Sequence, residues 1–241
     1  VKLTGTLQER FTLAMDNEFV RKAITVKPDP VSSLADAEPF MAATIIADAL
    51  KQSFIPNQFS LDFIHEMVGR ALTHHCYVFP NEAEHQAKIY NPPITEVVPI
   101  CLTGLAGLGK SRTIDALKKV MPVPSEYHSP YFGGALTLES YWYASAEGKE
   151  SGKSLLLWFL FGGSGRKSGN FDRLLLECRR RAYRDIVSLL LLDETQHISL
   201  GLGTARIVTI LLTLMRIGPP AVFVSNFSLG HKLFKRNNED K

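Results

Sequence analysis

The segment Gly104-Leu105-Ala106-Gly107-Leu108-Gly109-Lys110-Ser111 fills every defined position of the pattern Gly-x-x-x-x-Gly-Lys-Ser/Thr, the Walker A pattern. Immediately before it, Val97 to Thr103 is a short apolar run of the kind that forms a strand. Immediately after it, Ile114, Leu117 and Val120 share one face of a predicted helix that follows Lys110. A glycine turn between a strand and a helix is the setting in which this pattern holds phosphate. Glycines let backbone N–H groups converge on an anion, and the helix begins with unpaired donors and its positive dipole end facing the same point. Lys110 would neutralise β- and γ-phosphate oxygens, and the Ser111 hydroxyl would help hold Mg²⁺. With Arg112 added, Gly104 to Arg112 is the expected nucleotide-binding set, and ATP with Mg²⁺ is the expected cofactor.

Farther along, Ile186 to Leu192 is a second apolar run, read as a central parallel strand buried on both faces, and it ends at Asp193 and Glu194. Open α/β sheets bind ligands at the carboxyl ends of their strands, which suits this pair to a Walker B role. Asp193 would hold the Mg²⁺ hydration shell, and Glu194, directed differently, would polarise the attacking water as a general base. Ala221 to Ser225 reads as the next strand and ends at Asn226, whose amide would lie near the γ-phosphate and orient the water. Its plain alternative is a turn residue. Lys110, Glu194 and Asn226 are therefore the expected catalytic residues, and Ser111 and Asp193 the expected metal-holding ones.

The remaining segments fill in an alternating pattern. Ala135 to Ser140 reads as a second strand and Ser154 to Phe161 opens a helix. Between Arg206 and Ile217 the polar Arg206, Thr209, Thr213 and Arg216 form one stripe, leaving Ile207, Val208, Leu211, Leu214 and Met215 for the core. Strands alternating with helices imply a parallel sheet covered by helices. Residues 1–93 read as a helical extension, with helices over Pro39 to Gln52 and Leu61 to Thr73 and turns at Pro28 to Ser33, Pro56 to Asn57 and Asn91 to Pro93. The expected architecture is an α/β P-loop NTPase core over 94–241 preceded by that extension.

With 241 residues and 45% hydrophobic content, the chain can bury one substantial core. Its 27 basic and 24 acidic residues balance too evenly for net charge to identify a nucleic-acid partner. Three cysteines without metal-site spacing read as reduced thiols, and the adjacent His74, His75 and Cys76 are poorly placed to converge on one ion. No signal-like or spanning apolar run opens the chain, so a cytoplasmic protein without membrane association is expected. A start at Val1 and a charged end over Lys235 to Lys241 suggest a fragment.

Several segments resemble the TnsC-like (TniB-like) AAA+ regulators of DNA transposition, relatives of bacterial helicase-loader ATPases. Leu191-Leu192-Asp193-Glu194-Thr195-Gln196-His197 is similar to the family's Walker B. Leu138 to Phe161, with Tyr141-Trp142-Tyr143, resembles its second strand and following helix, and Val224 to Lys232 resembles its sensor 1 strand and exit. Ile64 to Pro80 is similar to the helix and Tyr-Val segment before the ATPase core. The resemblance implies an AAA+ ATPase that assembles as a homo-oligomeric ring or filament on duplex DNA and recruits a transposase and a target-selector protein. Hydrolysis would then remodel that assembly. The family's helical lid, with its sensor 2 residue, would follow about residue 240 and is absent, so binding is expected to outlast turnover. Arg236 is the candidate arginine finger, against the plain alternative of a solvated helix end.

Turns facing the inner surface of such a ring would contact DNA, which makes Lys149 and Lys153 candidates. Between Ser164 and Asp185, seven basic residues, among them Arg166, Lys167 and Arg179 to Arg181, outnumber three acids. Backbone contacts of this sort give little sequence preference and a steep salt dependence. The plain alternative is a solvated helix face paired with local acids. Two other functions remain open at this point: a P-loop kinase, for which no acceptor pocket or arginine-bearing lid is legible, and a non-catalytic nucleotide-gated adaptor.

Overall fold

The structure, a computed structural model, describes residues 9–32, 34–128, 134–148, 151–162, 169–195 and 204–229. Four helices come first: α1 (Asn17–Ile24), α2 (Pro39–Gln52), α3 (Gln58–Val78) and α4 (Glu82–Lys88). Then β1 (Ile100–Gly104) leads into α5 (Lys110–Val120), a pair β2 (Ser125–His128) and β3 (Ala135–Leu138), and β4 (Trp142–Ser145). Helices α6 (Gly152–Phe161) and α7 (Phe171–Arg184) precede β5 (Leu190–Asp193), and α8 (Thr204–Met215) precedes β6 (Ala221–Asn226). The result is an α/β fold in which four parallel strands, ordered β1-β6-β5-β4, are flanked by helices.

Strand alternation builds the two sides. Leu189, Leu191, Val222 and Val224 face one buried cluster with Ile114 and Leu117 of α5 and with Ile64, Met67 and Val68 of α3. Leu190, Leu192, Ala221 and Phe223 face the other, against Leu155 and Leu156 of α6, Leu175 and Cys178 of α7 and Ile207 and Leu214 of α8. Because both faces of β5 are covered, all four of its residues are buried. Phe11, Val20 and Ile24 near the amino end belong to the same cluster as the sheet, so α1 and α3 form part of one covering layer. No helix among the described residues is long and apolar enough to cross a membrane. Cys76, Cys101 and Cys178 are free thiols.

Several sequence expectations are corrected. The first strand begins at Ile100, not Val97. Residues 135–140 do not supply the sheet's second strand: β3 pairs antiparallel with β2 in a separate two-stranded sheet. The parallel strand is β4, where Trp142 and Ala144 point inward and Tyr143 is exposed, a short edge strand whose aromatic and serine content hides its alternation. The run from Ile186 becomes a strand only at Leu190, because α7 ends in a left-handed residue. Ile186, at φ 51°, donates to Tyr183 O while Val187 N–H reaches back to Ala182 O. In α8 the expected polar stripe is broken by Thr213, only 2% exposed, whereas Leu212 is exposed. The Thr213 hydroxyl donates to Thr209 O, and α6 approaches so closely that a Cβ at Gly152 would lie 2.3 Å from Thr213 Oγ1.

His75 of α3 is enclosed by this core, its ring 5.2 Å from that of Phe11, and burial, aided by the nearby Arg10 charge, pushes it down to about 4. An unfolded chain takes up that proton near 6.5, the ordinary value for histidine. Folding stability should therefore be complete above that pH and fall as pH drops from about 6.5 toward 4, where the folded form also protonates. Melting temperature followed against pH should show this loss, with a shallower slope in His75→Gln.

Candidate functional site

The site is assembled at the carboxyl ends of three neighbouring strands. Between Gly104, which ends β1, and Lys110, which begins α5, the chain turns with Gly107 at φ +82° and Gly109 at φ +79°. Side chains at these two positions would meet nothing within 4 Å, so the requirement for glycine is one of backbone conformation rather than space. Gly109 is also the N-cap of α5, where no side chain caps the helix and no acidic residue occupies the first turn. The first-turn N–H groups thus keep their donor capacity, and the positive end of the helix dipole is left uncompensated.

Lys110 folds back into the turn. Its ammonium donates to Gly104 O at 3.1 Å, to Leu105 O at 2.8 Å and to Asn226 Oδ1 at 3.0 Å. One position on, the Ser111 hydroxyl donates to Asp193 Oδ1 at 3.4 Å, and the same oxygen accepts the Glu194 N–H at 2.7 Å. Two contacts therefore join the first turn of α5 to the ends of β6 and β5. Strand order explains how. Because β6 lies between β1 and β5, with Gly104 registered against Asn226, the Asn226 amide sits between the glycine turn and Asp193. Past β5 the chain is fixed to β6 again by the Thr195 hydroxyl, which donates to Val224 O at 2.6 Å.

Asp193 is 5% exposed, and that burial holds its carboxyl above the usual aspartate range, although the bonds from Glu194 N–H and Ser111 pull the other way. A buried carboxylate beside a hydroxyl is a hard oxygen donor set that suits Mg²⁺, which also recovers the cost of keeping the charge. Glu194 is half-buried and takes φ 59°, a left-handed conformation uncommon for a residue with a Cβ. The glycine turn, uncapped helix, ammonium and hydroxyl–carboxylate pair together fit a phosphate ester with a divalent cation.

Other expected residues lie elsewhere. Leu105, Ala106 and Leu108 are exposed on the turn. Arg112 is also exposed, and its guanidinium donates to Lys51 O at the end of α2, away from the turn. Lys153 is exposed in the first turn of α6. Lys149, Arg166, Lys167, Arg236, Gln196 and His197 lie outside the described residues. Along α7 four of the five arginines are bonded: Arg179 to Arg216 O, Arg180 to Tyr90 O, Arg181 to Leu160 O and Arg184 to Asp185.

Sequence reasoning missed how the amino-terminal helices reach the site. Ser60, early in α3, lies 3.3 Å from Thr113 of α5, hydroxyl to hydroxyl, and Thr113 also donates to Gly109 O. With Arg112 on Lys51 O, two links run from the start of α5, one to the end of α2 and one to the first turn of α3. No local pattern signals such contacts, since they join residues more than fifty positions apart. No protein-family model and no characterised protein sequence matches the chain.

Proposed function

We propose that the chain is an ATP-binding and ATP-hydrolysing P-loop protein of the AAA+ kind, acting as a regulator of DNA transposition. The observation that carries the nucleotide part is the convergence of Lys110 with Asn226 and of Ser111 with Asp193 on one glycine turn. The turn's amides and Lys110 hold the terminal phosphates of ATP, while Ser111 and Asp193 hold Mg²⁺. The metal supplies charge neutralisation at the transferring phosphoryl group. Glu194 accepts a proton from the attacking water, and Asn226 orients that water.

The regulatory part rests on the resemblance of residues 138–161, 191–197 and 224–232 to TnsC-like proteins. On this reading the chain assembles as a ring or filament on duplex DNA, contacts the phosphate backbone through Lys149, Lys153, Arg166 and Lys167, and recruits a transposase and a target-selector protein. Filter retention of duplex DNA should rise when a non-hydrolysable ATP analogue is added, and should fall steeply with salt. Equal and negligible retention with and without the analogue would remove DNA assembly from the function.

A further inference from the structure

The segment from Lys27 to Ser53 is an arm. Its two ends are pinned together by a bridge in which Val26 N–H donates to Phe54 O at 2.8 Å and Phe54 N–H donates to Val26 O at 2.9 Å. Helix α2 lies between those ends, and no described residue from Lys27 to Ser53 is buried. Yet α2 is apolar: Phe40 is 84% exposed and Leu50 65%, with Met41, Ile45 and Ile46 exposed between them. A helix of 14 residues is marginal in water by itself and takes its stability from packing an apolar face. The bond from Arg112 to Lys51 O holds its last turn, and its large apolar side chains are left to solvent.

Charge narrows what can cover this helix. Leu34 to Leu50 contains Asp36, Glu38 and Asp48 and no basic residue. Asp48 is paired with Lys51 at 3.0 Å, whereas Asp36 and Glu38 make no ion pair among the described residues. These acids disfavour an anionic membrane surface, which selects helices with lysine and arginine on their polar face. A basic surface with an apolar floor fits them, and the chain carries one beside α7. A cavity of about 770 Å³ there is floored by Leu160 and Leu174 and walled by Tyr90, itself 75% exposed. Arg173, Arg180 and Arg184 line it from one stripe of α7, with Glu177 the one acid among the lining residues. Arg180 uses Nε on Tyr90 O and meets Glu177 at 3.7 Å, while Arg173 makes no hydrogen bond or ion pair among the described residues.

Arm and trough stand on opposite sides of the sheet. The end of α2 is tied to α5, which covers one face, and α7 covers the other. One copy's arm therefore meets another copy's trough rather than its own, a head-to-tail contact that repeats from copy to copy. Arm-to-arm pairing would leave the arginine rim unmatched. We infer that α2 of one copy docks in the α7 trough of a second copy, with Phe40 and Met41 on the apolar floor and Asp36 and Glu38 against Arg173 and Arg180. The contact needs neither ATP nor DNA, so its failure and the failure of the nucleotide reading are separate results.

Sedimentation of the chain without ATP should show association that grows with concentration and passes beyond a dimer. Asp36→Lys with Glu38→Lys reverses the charge of the arm, and Arg173→Glu with Arg180→Glu reverses that of the trough; none of the four side chains is buried. Each double variant alone should associate about a hundredfold more weakly, because like charges now face each other. Mixed one to one, the two variants should associate again, since each reversed surface then meets its opposite, a result that misfolded chains would not give. Phe40→Ser should weaken association about tenfold, as loss of an apolar anchor does. The inference is overturned if the unaltered chain stays monomeric at every concentration, if the trough variant associates as the unaltered chain does, or if mixing restores nothing. It is also overturned if the unaltered chain, but not Phe40→Ser, floats with phosphatidylglycerol vesicles, which would assign the arm to a lipid surface.

Discussion

Replacing Glu194 with Gln should lower ATP turnover by a factor of about 10² to 10⁴ while leaving ATP affinity intact, the signature of a lost general base. The expectation follows from how β5 ends. Asp193 is enclosed and bonded to Ser111 and to the Glu194 N–H, so its carboxylate is committed to the start of α5. Glu194 is more open than Asp193, and its backbone leaves the extended conformation of the strand. Gln preserves size and polarity but cannot accept the water's proton. Phosphate release at saturating ATP, set beside the dissociation constant of a fluorescent ATP analogue, checks both halves; undiminished turnover would exclude Glu194 as the base.

Lys110→Ala should weaken ATP binding by roughly a hundredfold, the equivalent of about 3 kcal/mol for a charge-assisted contact. All three of its ammonium donors already rest on oxygens, two from the glycine turn and one from Asn226, so the group is positioned where an anion would be received. Lys110→Arg should not restore the affinity, because a planar fork does not replace a compact ammonium in a turn of this size. Competition against the fluorescent analogue measures both variants, and unchanged affinity in Lys110→Ala would place the nucleotide elsewhere.

How far the fold was legible depended on the strength of local patterns. Ile114, Leu117 and Val120 recur on one helical face, and α5 buries all three. The run ending at Leu192 is apolar at every position because β5 is covered on both sides, and that continuity marked it as central. Periodicity alone put the second strand at Ala135 to Ser140 rather than at β4, because an edge strand of four residues, with Tyr143 exposed, offers too little alternation to separate from the preceding loop. β3 is well patterned, but no local signal distinguishes a strand of the parallel sheet from one that pairs with β2. Ile186 is aliphatic and wholly buried, so nothing in its type announces the left-handed turn that delays β5.

The candidate site was legible for a different reason. Its side chains sit at element ends, where a glycine turn or an acidic pair interrupts an apolar run, and such interruptions are visible in one dimension. What brings Lys110 to Asn226 is the strand order β1-β6-β5, which no single segment encodes. Arg112 belonged by position to the nucleotide-binding set, yet its guanidinium reaches Lys51 O, because the packing of α2 and α3 against the start of α5 is a tertiary fact.

The most direct test of the account is a map of backbone amide resonances as ATP with Mg²⁺ is added. The largest displacements should fall on the amides from Leu105 to Ser111, with smaller ones at Glu194 and Asn226, and those near Asp193 should diminish when Mg²⁺ is chelated. A spectrum in which Gly107 and Gly109 do not move, or in which the displaced amides cluster on another part of the sheet, would contradict it.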